Sequence, residues 1–226
     1  MSDKNYLSAY ARSFSWAGFF LPKKTYKKCS ALYDFCRVAD NIADDQEKLE
    51  IKEIRFKQFE NDFTQKNLNN PIIKNMWGLI DEFEISVKII EDLLDGIRSD
   101  IKAKVKLNSK KDLLIYSYRV AGTVGLMMAK ILKVTKKSSL KSAIDLGIAM
   151  QLTNISRDVV EDSKINRFYI NENFEAKVYF SNEHVFLSRI SILSNRAKLS
   201  IYFNNCANKE IKELYFRVNP LHDYSY

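Results

Sequence analysis

Between Pro22 and Pro71 the chain runs for 48 residues without a glycine or a proline, and all 226 residues hold only six Gly and three Pro. An all-β or alternating α/β chain needs turn residues about every 8–12 positions, so punctuation this sparse leaves helices as the consistent reading. With 46% hydrophobic and 28% charged residues, the chain can bury a core and is expected to form one domain over residues 1–226. The longest charge-free apolar stretches, around Val120 to Ala129 and Leu146 to Ile155, are too short to span a bilayer.

Pro22 can open a helix, where its missing N–H is no loss. From Thr25 to Asp45 the apolar positions Ala31, Leu32, Phe35, Val38, Ala39 and Ile42 recur at helical spacing. Tyr33, Arg37, Asp40 and Asp44 share a neighbouring face. Residues 47–64 read as an amphipathic helix with Ile51, Ile54, Phe59 and Phe63 inward, and residues 67–71 as a polar turn. Residues 83–106 read as one helix with Ile89, Ile90, Leu93, Leu94, Ile97 and Ile101 on its core side. Further helical patterns cover 110–130, about 140–162 and 182–215. The tail from Arg217 to Tyr226 shows no periodicity.

The net charge is +8, but the lysines are scattered. No recognition helix, zinc-finger spacing or basic-aromatic strand accompanies them, so nucleic acid is not an expected partner. Cys29, Cys36 and Cys206 are odd in number and form no CxxC, which suggests reduced thiols in the cytoplasm. Met1 to Asn5 lead into no apolar run of signal-peptide type.

Two distant stretches carry the same chemistry: Arg37 to Asp44, and Asn154 to Asp162. On helices Asp40 and Asp44 lie one turn apart, as do Asp158 and Asp162, and like charges at this spacing destabilise a helix unless compensated. Gln151, Asn154, Asp158 and Asp162 step down one helical face. Magnesium prefers hard oxygen ligands and commonly joins one or two carboxylates to substrate phosphates. The expected metal ligands are therefore Asp40, Asp44, Asp158 and Asp162 with Asn154 as a neutral oxygen. Arg37 and Arg157 can offer planar donors to phosphate. Departure of a diphosphate leaves a carbocation that needs a dry site and aromatic faces, for which Phe14, Tyr33 and Tyr116 are candidates; core packing is the competing role. Ala121, Gly122 and Gly125 would open a groove for an apolar chain or let two helices approach closely, and the sequence leaves both open.

With those residues in place, the chain resembles the squalene/phytoene synthase family of head-to-head isoprenyl diphosphate synthases. The resemblance rests on Tyr10 to Ser15, Ala31 to Asp44, Tyr116 to Met128, and Leu146 to Asp162 with Asn166 to Tyr169, and covers roughly residues 8–215. Gly125 to Ala129 and Gln151 to Asp162 lean toward bacterial-type phytoene synthases.

The resemblance implies an all-α isoprenoid synthase fold, a single helical bundle around a central apolar cavity. It implies head-to-head condensation of two geranylgeranyl diphosphates through prephytoene diphosphate to phytoene, with Mg²⁺ (or Mn²⁺) and without NADPH. Asp40, Asp44, Asp158 and Asp162 would bind Mg²⁺ bridging to the diphosphates. Arg37, Asn154 and Arg157 would assist, and Tyr33 would line the site. Phe14, Tyr116, Ala121, Gly125 and Gln151 would line the prenyl cavity, and Arg167 and Tyr169 would help close it.

Two departures stand out. Asn41 follows Asp40 where many relatives have a second Asp. Residues 216–226 do not resemble the further helices that carry a Tyr and basic residues in relatives, which points to a shortened bundle open on one side. Farnesyl diphosphate as substrate (squalene or dehydrosqualene synthesis) and a non-catalytic assembly or lipid-binding role are the alternatives. A cytoplasmic protein in peripheral contact with the inner face of the membrane, assisted by its lysines, is the expected setting. The sequence leaves the oligomeric state open.

Overall fold

A computed structural model describes residues 21–170 and, beyond them, the backbone of 176–178, 188–192, 197–200 and 214–216. Phe14, the Tyr10 to Ser15 motif and the 217–226 tail lie outside the described residues. Helix α1 (Lys23–Asp44) starts directly after Pro22, whose carbonyl accepts from the Tyr26 N–H at 2.9 Å. Of the stripe its spacing predicts it buries Leu32, Phe35, Ala39 and Ile42, with Ala31 and Val38 half-buried against the core, and it adds Cys29 and Ala43. Cys29 and Cys36 on this helix are both free thiols; burial, followed by the Asp40 charge, pushes Cys36 up to about 12.

Helix α2 (Leu49–Thr64) packs on α1 through aromatic rings, with Phe35 5.2 Å from Phe59 and 5.7 Å from Phe63 between centroids. Its inward stripe is Phe56, Phe59 and Phe63. Carried back one turn, that stripe reaches Lys52 rather than an isoleucine. Ile51 and Ile54 therefore fall on its flanks, 42% and 70% exposed, and the expected inward placement of both is corrected.

Helix α3 (Pro71–Phe83), which the helical patterns read from the sequence do not include, follows the polar turn at residues 67–71. Asn70 caps it by accepting the Ile72 N–H at 3.0 Å, and Pro71 occupies its first turn. Trp77 stacks on Phe63 at 5.2 Å and donates its indole N–H to the Phe63 carbonyl at 3.0 Å.

Helix α4 (Val87–Arg98) buries Ile89, Ile90, Leu93, Leu94 and Ile97 as expected, but it stops eight residues before Lys106. The N–H groups of Asp100 and Ile101 bond three residues back, to Ile97 and Arg98, in tight turns that end the helix. The chain then extends into β1 (Val105–Lys106), paired in parallel with β2 (Arg167–Phe168).

Helix α5 (Lys110–Ser117), a π-helical turn (Tyr118–Gly122) and helix α6 (Thr123–Ile131) form one continuous rod. Helix α7 (Lys137–Arg157) packs along that rod, and α8 (Val159–Lys164) continues it past a break at Asp158. The acidic residues expected on one helical face thus straddle a joint. The Asp158 N–H still bonds the Asn154 carbonyl at 2.9 Å, and the Asp162 N–H bonds the Asp158 carbonyl at 2.8 Å, so their turn spacing persists.

Helices α1 and α6 lie at the centre of the bundle, α1 against α2, α3 and α4, and α6 against α1, α4 and α7. The rod meets α7 at van der Waals limits. A Cβ on Gly125 would stand 2.2 Å from the Ala143 carbonyl oxygen, and one on Gly147 would stand 2.3 Å from that of Ala121. Close helix approach, not a groove, is what these two glycines provide.

Farther along, β3 (Ala176–Val178), β4 (Ser188–Ile192), β5 (Ala197–Ser200) and β6 (Leu214–Phe216) form an antiparallel sheet in sequence order. The expectation of a helix over 182–215 is corrected for the parts described. Arg189 to Ile192 alternates polar and β-branched apolar residues, a period-two signal that a loose helical pattern conceals.

Candidate functional site: two carboxylate pairs around a buried arginine

Each half of the site comes from the last turns of a long helix. Tyr33, Arg37, Asp40 and Asp44 lie along the exit of α1, where the Arg37 guanidinium donates to Asp40 Oδ2 at 2.8 Å. Asp158, at the joint between α7 and α8, accepts both forks of Arg157, Nε to Oδ1 and Nη2 to Oδ2, each at 2.6 Å. Asp162 follows one turn later.

Arg167, at the start of β2, links the halves. Its Nη1 donates to Asp44 Oδ1 at 2.7 Å and its Nη2 to the Ala43 carbonyl at 3.2 Å, with its side chain only 13% exposed. The same guanidinium lies close enough to act on the charges of Asp40, Asp100 and Asp162.

Electrostatics record the crowding. Burial, then the Asp44 carboxylate, pushes Asp40 up to about 6, against the opposing pull of Arg37. Burial and Asp158 push Asp162 up to about 6, and Asp44 from the other pair adds to it. Burial works against the Arg167 charge, but Tyr169, Asp100 and Asp44 outweigh it and hold that group above its ordinary value. Burial also raises the Tyr33 phenol, with Arg37 lowering it and Asp40 raising it, which places Tyr33 beside the first pair.

Asp100 is the residue the sequence reading missed. Its carboxylate accepts from the Tyr116 hydroxyl at 2.7 Å (Oδ2) and from the Tyr169 hydroxyl at 2.9 Å (Oδ1). The two rings stack with centroids 4.8 Å apart. The signal was available: Asp100 lies seven residues after Leu93 and three after Ile97, a lone acid on an apolar helical stripe.

The other expected residues fall less centrally. Gln151 is half-buried on α7, Asn154 is exposed beside Asp158, and the Ala121 carbonyl and Gly125 face the backbone of α7. Among the described residues no three acidic, Cys or His side chains already converge at metal-ligand spacing. The donor set nonetheless suits a hard divalent cation. Five carboxylates (Asp40, Asp44, Asp100, Asp158, Asp162) outnumber three guanidiniums (Arg37, Arg157, Arg167), and burial first, then the paired carboxylate, raises Asp40 and Asp162.

That excess predicts a pH dependence. An acid raised in the folded state keeps its proton where the unfolded chain has lost it, so folding loses stability as pH rises from about 4 to 6 and levels off above. The metal-free protein is therefore expected to melt at a higher temperature at pH 5 than at pH 7.5. Mg²⁺ should raise the melting temperature more at pH 7.5, because protons compete for the same oxygens at pH 5. Equal Mg²⁺ shifts at both values would contradict this assignment.

Two carboxylate pairs at helix ends, the first of them bound by Arg167, define a mostly helical protein with an acidic site suited to a divalent cation. The family model for squalene/phytoene synthase matches residues 7–200, and the chain belongs to that family. It is 33% identical over 172 residues to 15-cis-phytoene synthase of Pantoea ananas, covering 71% of this chain and 55% of that protein. To chloroplastic phytoene synthase 1 of Zea mays it is 31% identical over 186 residues, 78% of this chain and 45% of that one. The chain thus spans about half the length of these relatives.

A dehydrosqualene synthase solved in complex with ligand superposes with a TM-score of 0.64 at 33% identity, over 74% of this chain and 59% of that one. A squalene synthase from Alicyclobacillus acidocaldarius gives 0.60 at 18% identity, over 71% and 61%, and shares the fold. Among the described residues no helix is long and apolar enough to cross a membrane.

Proposed function

We propose that this chain carries the acidic, diphosphate-handling part of a head-to-head prenyltransferase that condenses two geranylgeranyl diphosphates, through prephytoene diphosphate, to phytoene. The observation that carries the reading is the Arg167–Asp44 bond, which closes 123 residues of chain and brings the segment after the second carboxylate pair against the first, so that Arg167 and Asp44 both act on the charge of Asp162. Identity with phytoene synthases over 70% or more of the chain supports the choice of substrate.

In this reading Asp40, Asp44, Asp158 and Asp162, with Asn154 beside them, hold Mg²⁺, which supplies positive charge to the leaving diphosphate. Arg37 and Arg157 already point planar donors at the carboxylates and can turn them to phosphate oxygens. Arg167, held against Asp44, is a third donor to the departing charge. The stacked Tyr116 and Tyr169 rings, 6% exposed each, form an aromatic, water-poor wall on the Arg167 side of the site, of the kind a carbocation requires. Lysine-rich outer faces would let the protein rest peripherally on an anionic membrane, where a hydrocarbon product can leave.

The test is incubation of the purified protein with Mg²⁺ and geranylgeranyl diphosphate, followed by mass analysis of the extracted hydrocarbon. Phytoene is expected, without NADPH. The similarity to a dehydrosqualene synthase at 33% identity favours a second reading, farnesyl diphosphate as substrate. Parallel assays with farnesyl diphosphate, with and without NADPH, separate the two. No hydrocarbon from either substrate would defeat both.

A further inference from the structure

We infer that Asp100 is the positioning residue of this site, holding Tyr116 in place directly and Arg167 through Tyr169. The inference rests on the proposed reading for its consequence in turnover, but its geometry stands apart from that reading.

Three elements converge on this one carboxylate. Asp100 itself sits in the tight turns after α4, Tyr116 comes from α5, and Tyr169 directly follows β2. Each carboxylate oxygen takes one phenol, at 2.7 and 2.9 Å, so neither side chain can swing about χ1 without giving up a charge-assisted bond. Stacking at 4.8 Å between centroids with 24° between planes then fixes the second ring once the first is fixed.

The same stretch of chain grips the 166–169 segment by its backbone. The Val105 N–H donates to the Asn166 carbonyl at 2.9 Å and the Leu107 N–H to the Phe168 carbonyl at 3.2 Å. Arg167 lies within this grip, between its two anchored neighbours, and reaches Asp44 and the Ala43 carbonyl. The backbone pairing sets the depth of the segment. The Tyr169–Asp100 bond sets its rotation, and so the direction in which Arg167 points. Burial pushes Asp100 up to about 6, and the Tyr116 bond, Arg167 and the Tyr169 bond offset part of that rise.

The test uses Asp100→Asn, which keeps the size of the side chain and one acceptor oxygen. In the resting protein with isotope-labelled tyrosine ζ carbons, the Tyr116 and Tyr169 resonances are assigned with Tyr116→Phe and Tyr169→Phe. Both resonances are expected to move in Asp100→Asn while helix content is retained, and no movement of either would overturn the inference.

With Mg²⁺ and geranylgeranyl or farnesyl diphosphate, kcat is expected to fall about thirtyfold or more, with KM within about threefold. In a Tyr169→Phe background Asp100→Asn should cost less than it does in the wild type, since part of its effect runs through that phenol. Full multiplicative effects would overturn the coupling. A wild-type protein that turns over neither substrate would defeat the proposed function, while the tyrosine resonances would still decide the role of Asp100.

Discussion

Asp40→Ala, assayed with Mg²⁺ and geranylgeranyl diphosphate, is expected to turn over about a thousandfold more slowly than the wild type while keeping its helix content. Removing one preorganised group that stabilises transition-state charge typically costs about 10²–10³ in kcat, and Asp40 would hold metal as well as orient Arg37. The fold should not suffer. Asp40 contributes one hydrogen bond at a half-exposed position, 46% open at its side chain, and burial with Asp44 works against its charge. Its removal should leave the metal-free melting temperature unchanged or slightly higher. Mg²⁺-dependent binding of a non-hydrolysable prenyl thiodiphosphate should weaken in parallel with the rate. Wild-type product formation by the variant would remove Asp40 from the metal site and with it the pairing that defines the site.

The largest structural effect is expected at Gly147. An added Cβ there meets the Ala121 carbonyl oxygen at 2.3 Å, the Ala121 carbonyl carbon at 2.8 Å and the Gly122 Cα at 3.0 Å. All three are backbone atoms, so no side chain can swing aside; helix α7 must move off the rod that carries Tyr116. Overpacking of this kind costs about 3 kcal/mol, at the upper end of its usual range. For a chain of this size that corresponds to about 6–12 °C in Tm. Gly78→Ala is the control. No atom lies within 4 Å of the new methyl, and the interior of α3 should gain up to about 1 kcal/mol from it. Thermal melts of the two variants should thus diverge in opposite directions, and a Gly147→Ala protein that melts with the wild type would mean that the π-helical turn and α7 are not in backbone contact.

Much of this was legible beforehand because it is local. The α1 stripe and the Asp40/Asp44 and Asp158/Asp162 spacings depend only on helical period, and the structure keeps them even across the break at Asp158. Apart from helix α3 and strand β4, whose signals are local, the deciding contact lies between elements wherever the sequence misleads. Ile51 and Ile54 point outward because Phe35, from another helix, selects the Phe56/Phe59/Phe63 stripe of α2. The helix expected to run to Lys106 ends at Arg98 because residues 105–107 find their partners at 166–168. Gly125 and Gly147 could be assigned to helix contact only once the opposing carbonyls were located. Asp100 joined the site through two tyrosines, 16 and 69 residues away, that no period connects.

That distance has a consequence for how the molecule comes to be. The aromatic contacts of α1, α2 and α3 join residues a few dozen positions apart, so they can form early at small loop-closure cost. The contact of Arg167 with Asp44 must close 123 residues of chain. It gains nothing until both helical ends stand in place. During synthesis the first carboxylate pair therefore emerges with no partner for Asp44 until the chain has grown past Arg167. Among the helical contacts of residues 21–170 the site closes late, and in hydrogen exchange the 166–169 backbone should be among the first parts of them to open.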